Sequence, residues 1–172
     1  MASSDIDRAV LDVLAATPRV LRDLCGSASE AMLETPTDKG WSPKHIVAHI
    51  LDVEDIAFMQ RIRRIIEEER PYIRSIAPTE RIEEAGYMER PVADLLDELQ
   101  RRRGEDLAWV RSIEPSQLDR IGEHDEAGEI TASNIVHYWA THDLTHLHQL
   151  ALMLRSTLAD RVGNMQRFFE EV

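Results

Sequence analysis

Apolar residues recur every three or four positions along most of the chain, and the runs break where Gly and Pro cluster. Ile6, Val10, Val13 and Leu14, then Val20, Leu21 and Leu24, keep helical spacing on either side of Thr17-Pro18. Thr caps helices and Pro fits a first turn, so a kink or a restart is expected there. Gly26 is a stop, and 28–33 adds a short helical turn. Thr35-Pro36-Thr37-Asp38-Lys39-Gly40 reads as loop. Ser42-Pro43 opens a second helix, with Ser at the cap and Pro in the first turn. Ile46, Ile50, Val53, Ile56, Ala57, Ile62 and Ile65 hold its period to an end near Glu69, ahead of Arg70-Pro71. Residues 71–90 are irregular, with one short helix around Glu80 to Tyr87. A third helix starts near Pro91, carries Val92, Leu95, Leu96, Leu99, Leu107 and Val110, and closes at Pro115. Gly104 inside it costs roughly 1 kcal/mol. The stretch Gly122 to Gly128 is charged and turn-rich. Thr131 caps a fourth helix that runs to about Thr157. No alternation is long enough for a sheet.

Four main helices joined by loops predict an all-α fold, an antiparallel four-helix bundle with short extra helices. One domain is expected over 1–172, with its core in 5–155. A C-terminal amphipathic helix over 158–171, bearing Val162, Met165, Phe168 and Phe169, is expected to dock on the bundle or on a partner. The connection before the third helix is long, so a simple up-down order is not required.

Composition agrees. Of 172 residues, 43% are hydrophobic but only 5% aromatic, so aliphatic side chains carry the core, as helices prefer. Charged residues make up 30%, the proportion amphipathic helices expose on their outer faces. The net charge of −12 repels phosphate backbones and anionic lipid, which excludes nucleic acid and membrane as expected partners. Arg61-Ile62-Arg63-Arg64 and Arg101-Arg102-Arg103 are each followed closely by acidic residues and read as solvated helix faces. Cys25 is the only cysteine, so neither an intrachain disulfide nor a cysteine-based zinc site can form. The N-terminus is polar and no apolar run approaches the ~20 residues of a membrane span, so a soluble cytoplasmic protein is expected.

The candidate chemistry is histidine. His142 and His146 stand four apart on the fourth helix, which points both imidazoles the same way. Ile135, Tyr138, His142, Thr145, His146, Gln149 and Met153 form one stripe, apolar at its ends and polar in the middle. On the second helix His49 interrupts the apolar face between Ile46 and Val53. Unpartnered buried imidazoles are costly, and a metal ion shared between facing helices, or a water-filled cleft, removes the cost. His142 is followed by Asp143 where a zincin has Glu, so that protease motif is absent. His45 lies one turn before His49 and belongs to the site or its rim. Asp52 and Asp143 are candidate acceptors for the outer nitrogens of ligating histidines. His137 and His148 share another face and read as surface, and His124 as solvated. Trp41, Trp109 and Trp139 read as bundle anchors.

Two blocks, Gly40-Trp41-Ser42-Pro43 leading to Ala48-His49-Ile50-Leu51-Asp52, and Gly128-Glu129-Ile130-Thr131 leading to His142-Asp143-Leu144-Thr145-His146-Leu147-His148-Gln149, resemble in order and separation the DinB-like superfamily of YfiT-related metal-binding bundles. The resemblance spans roughly residues 5–155. It places the family's three metal-binding histidines on His49, His142 and His146. It implies a divalent metal, nickel or zinc before iron or manganese, and a homodimer. It also implies a thiol-dependent transferase in which the ion activates a low-molecular-weight thiol toward a small electrophile. The alternatives are a metal-dependent hydrolase and a non-catalytic metal-binding dimer.

Overall fold

The structure, a computed structural model, describes residues 6–37, 40–76, 78–159 and 161–168, the side chains of 78–80 excepted. Helix α1 (Arg8–Gly26) opens on an Asp7 cap and runs through Pro18 without breaking. A short α2 (Glu30–Glu34) follows. Helix α3 (Pro43–Val53) continues through a π-helical segment (Glu54–Met59) into α4 (Gln60–Glu67). The crossover to α6 (Val92–Val110) contains strand β1 (Tyr72–Ile73), α5 (Pro78–Glu84) and a 3-10 turn (Tyr87–Glu89). Then come α7 (Pro115–Leu118), β2 (Ile121–His124), β3 (Gly128–Thr131) and the long α8 (Ala132–Ala159).

The fold is an all-α four-helix bundle built from α1, α3–α4, α6 and α8. Cross-contacts give the directions. Arg22 meets Asp97 while Arg103 reaches Leu14, so α1 and α6 are antiparallel. His49 meets His142 and His146 while Phe58 stacks on Trp139, so α3–α4 and α8 are antiparallel. Glu54 pairs with Arg103, and the α3 residues before it pack with Leu95 and Leu99, so α3 and α6 run parallel. The long crossover between α4 and α6 is what permits this order.

The expected helices stand, with three differences. Pro18 cannot supply the N–H that would bond the Leu14 carbonyl. Arg103 Nη1 supplies it instead at 2.6 Å, and Thr17 Oγ1 bonds the Val13 carbonyl, so α1 stays whole. The π segment adds a residue to the turn and shifts the buried face from the Ile56 side to Phe58 and Met59. Third, a small sheet exists: β2 pairs antiparallel with β3 and parallel with β1. Its strands of two to four residues are too short to leave an alternation in the sequence. It seats tightly on α4, since a Cβ on Gly122 would stand 2.9 Å from Ile65 Cγ1.

Beyond α8 the described chain forms a 3-10 helix (Gly163–Phe168) with no buried residue; Phe169 and the rest of the tail, like Asp38 and Lys39 of the first loop and residues 1–5, lie outside the described residues.

Two apolar clusters fill the bundle. One gathers Leu14, Val53, Phe58, Ile62, Leu107 and Trp139; the other gathers Leu21, Ile46, Ile50, Leu95, Leu99 and Leu150. Between them runs a polar layer holding Thr17, His49, Glu54, Arg103, Asp143 and His146, all buried.

Candidate metal centre

The layer has two halves. On one side His49, His142 and His146 converge, with one ligating nitrogen from each within 4.8 Å of the others. His142 Nε2 stands 3.1 Å from His49 Nε2 and 3.1 Å from His146 Nε2. A ring nitrogen carries one proton or one lone pair, so the His142 nitrogen cannot satisfy both neighbours by hydrogen bonding. Three lone pairs on a common ion resolve the conflict. Imidazole nitrogens ~2.1 Å from one ion stand roughly 3.0 to 3.4 Å apart, so the observed spacing fits.

Protonation supports the same use. Burial, with a smaller contribution from His146, pushes His49 down to about 3. Burial, then His146 and His49, pushes His142 to about 3 as well. Burial also lowers His146, against an opposing bond to Gln149. All three are therefore neutral donors at physiological pH. His146 Nδ1 donates to Gln149 Oε1 at 2.8 Å, which fixes the tautomer and turns the Nε2 lone pair toward the centre. The Nδ1 atoms of His49 and His142 are buried without a partner among the described residues.

Local sequence explains the placement. Ser42 and His45 close the start of α3: His45 Nδ1 lies 3.1 Å from the Ser42 N–H and 2.8 Å from Ser42 Oγ. That bond turns His45 to the helix end and away from the trio. Thr131 and Asn134 cap α8 reciprocally at 3.1 and 3.0 Å. Trp41 stacks beside His146 and meets His49 edge-on, while Phe58 meets His142 edge-on.

The other half is ionic. Arg103 occupies a core position on α6, one turn from both Leu99 and Leu107, so its reading as a solvated face is corrected: Arg103 is buried, Arg101 exposed. Its guanidinium donates to Glu54 Oε2 at 3.0 and 2.8 Å and to Asp143 Oδ2 at 2.7 Å, and it lies over the Trp139 ring. Burial, outweighing Arg103, pushes Glu54 up to about 7. Asp143 is thus held by Arg103, and Asp52 by Arg81 at 3.3 Å, so neither bonds a histidine of the trio. The acceptor that does is Gln149, legible only as the polar residue one turn beyond His146.

Two clefts border the trio. One, of about 540 Å³, touches His49 and His142 and is lined by Phe58, Arg61, His124, Asn134 and Tyr138 among others. The second, of about 750 Å³, touches His146 and Gln149 and is lined by Trp41, Met32 and Met153. His124, expected in solvent, instead lines the first cleft, carried there by β2. His137 and His148 are exposed, as expected.

Comparison with known proteins agrees with this picture. A model of the DinB superfamily matches residues 14–150. A protein of Oceanobacillus iheyensis, provisionally named a metal-dependent hydrolase, is 23% identical over 139 residues, 80% of each chain. YfiT from Bacillus subtilis, described as a probable metal-dependent hydrolase with an unusual four-helix bundle topology, superposes with a TM-score of 0.78 at 23% identity, covering 87% of this chain and 86% of that one.

Proposed function

The chain belongs to the DinB superfamily, and we propose that it is a divalent-metal-dependent enzyme acting on a small molecule, with His49, His142 and His146 as the ligands of its ion. The observation that carries this is the convergence of three neutral imidazoles, with His142 Nε2 3.1 Å from both of its partners, beside an open cleft. Hydrolysis is the reaction this reading favours, because both relatives are described as metal-dependent hydrolases. When bound, a divalent ion supplies Lewis acidity, polarising a substrate oxygen and lowering the pKa of water or a thiol. The chain does the rest: Gln149 orients His146, Trp41 and Phe58 shield the imidazoles from bulk water, and the cleft beside His49 and His142 receives the substrate. Imidazole donors accept nickel, zinc, iron or manganese, with nickel or zinc expected first.

A thiol-dependent transfer to a small electrophile is the second reading. One observation favours it: clefts open beside different members of the trio, leaving room for two reactants. The same proposal has the enzyme working as one domain, in the cytoplasm, as a homodimer. Among the described residues no helix is long and apolar enough to cross a membrane.

Elemental analysis of purified variants tests the ligand set. His142→Ala should lose most bound metal, while His124→Ala and His137→Ala keep it; equal metal in all three refutes the assignment. Chelator-sensitive cleavage of an ester and amide panel supports hydrolysis. A change in the spectrum of the cobalt-substituted protein on adding glutathione, mycothiol or bacillithiol supports transfer instead.

A further inference from the structure

The cleft beside His49 and His142 is chemically two-ended. Val53, one turn after His49, and Phe58, edge-on to His142, make its walls near the trio apolar, and Ala57 and Ile135 continue the apolar lining. Asn134, also in its lining, lies eight residues before His142 on α8, which sets it roughly 12 Å away along the helix axis. Arg61 and His124 line the same cleft.

Each of these three side chains has its orientation set by a bond elsewhere. Asn134 Oδ1 accepts from the Thr131 N–H at 3.0 Å as part of the α8 cap, so the side-chain NH2 is the group left for a ligand. His124 Nδ1 faces the backbone N–H groups of Glu126 at 3.2 Å and Ala127 at 3.3 Å and Asp125 Oδ1 at 3.2 Å, so Nε2 is the ring nitrogen not engaged by its own loop. Arg61 Nη2 donates to the Arg74 carbonyl at 2.8 Å, which anchors the guanidinium while its other N–H groups remain. Two carboxylates stand near. Asp125 accepts from Ser75 N and Oγ at 2.8 and 2.6 Å, and Glu126 is exposed in the cleft lining. The far end therefore sets one permanent cation, Arg61, and the donors of His124 and Asn134 beside these two carboxylates.

We infer that this cleft binds a small organic carboxylate with an apolar body, its carboxylate held by Arg61, His124 and Asn134 and its reactive group placed beside His49 and His142. The inference rests on the proposed chemistry at the three histidines for its reactive end, but the anionic end stands on its own donors. An anion here meets charge-assisted bonds that a neutral isostere cannot draw to the same strength. The apolar walls fit a chain or ring of carbons better than a phosphate or a sugar.

Titration calorimetry with two probes, 4-phenylbutyrate and 4-phenylbutanol, tests the assignment on the full-length protein. Wild type should bind the carboxylate at least roughly tenfold more tightly than the alcohol. Arg61→Gln should abolish that preference and leave the alcohol unchanged. Asn134→Asp keeps the oxygen that caps α8 but puts a like charge in the anion site; it should lose carboxylate binding without loss of thermal stability. His142→Ala separates this inference from the metal assignment. A preference that survives in His142→Ala and vanishes in Arg61→Gln places the carboxylate at the far end, whatever that variant's metal content. A preference lost in His142→Ala and kept in Arg61→Gln puts the carboxylate on the ion and overturns the proposal. Equal affinity for both probes in wild type overturns it too.

Discussion

Buried imidazoles and a buried carboxyl give this chain opposing responses to pH. His49 and His142 titrate at about 3 when folded, against 6.5 ordinarily. The unfolded chain therefore binds protons that the folded one refuses, and stability present above about 6.5 is lost as pH falls toward 3. Glu54 is raised from 4.5 to about 7, so the folded chain holds a proton the unfolded one releases. Its contribution is lost as pH rises from about 4.5 to about 7. Glu54→Gln should remove the second effect alone. Urea denaturation in chelator should show this variant gaining on wild type by an amount that grows between pH 4.5 and 7, reaching a few kcal/mol. A gap that stays constant across that range would mean Glu54 is ionised throughout in the folded chain. At this scale the trio was legible in the sequence, because His49, His142 and His146 interrupt apolar stripes that require burial. His124 was not, because its place in the cleft depends on a parallel pairing with Ile73 some fifty residues away. Gln149 carried only a helical spacing, and nothing local distinguishes a bonded amide from a solvated one.

At the level of elements, one side chain joins all four main helices. Arg103 on α6 bonds Leu14 on α1, Glu54 at the start of the π segment and Asp143 on α8. It satisfies the carbonyl that Pro18 leaves open, and it fixes α8 next to His142. Arg103→Met would strand the buried carboxyl groups of Glu54 and Asp143 and an unpaired carbonyl, and should cost roughly 3–5 kcal/mol in denaturant unfolding. Arg103→Lys should recover little, since an ammonium lacks the planar fork that serves three acceptors at once. A loss below about 1 kcal/mol for Arg103→Met would show the network to be dispensable. The periodicities foretold the four helices because long amphipathic runs carry many concordant positions. They missed the continuity of α1 through Pro18 because the compensating donor comes from α6. They missed the register slip in the π segment because one added residue alters only a single turn. In the sequence Arg103 reads as solvated although it stands one turn from both Leu99 and Leu107, because its charge and its arginine neighbours point to solvent until Glu54 and Asp143 are in view.

On the scale of the whole molecule, the bundle closes its two apolar clusters around the polar layer yet leaves apolar side chains outside. Leu144, Leu152 and Leu158 on α8 are 52, 44 and 54% exposed, and Met165 and Phe168 in the tail are each 58% exposed. A second copy is the cover proposed for them. Two such chains bring a net charge of −12 each, so association works against electrostatic repulsion and should strengthen as salt screens it. Light scattering at micromolar concentration should give twice the 19.7 kDa chain mass, with the dimer fraction rising between low and moderate ionic strength. Met165→Ser with Phe168→Ser should shift the equilibrium toward monomer while the helical circular dichroism stays unchanged, because neither residue packs in the bundle core. A wild-type mass of one chain at every salt concentration would remove the dimer. A dimer that survives the double substitution would move the contact onto the exposed leucines of α8, where Leu144→Ser is the next residue to test.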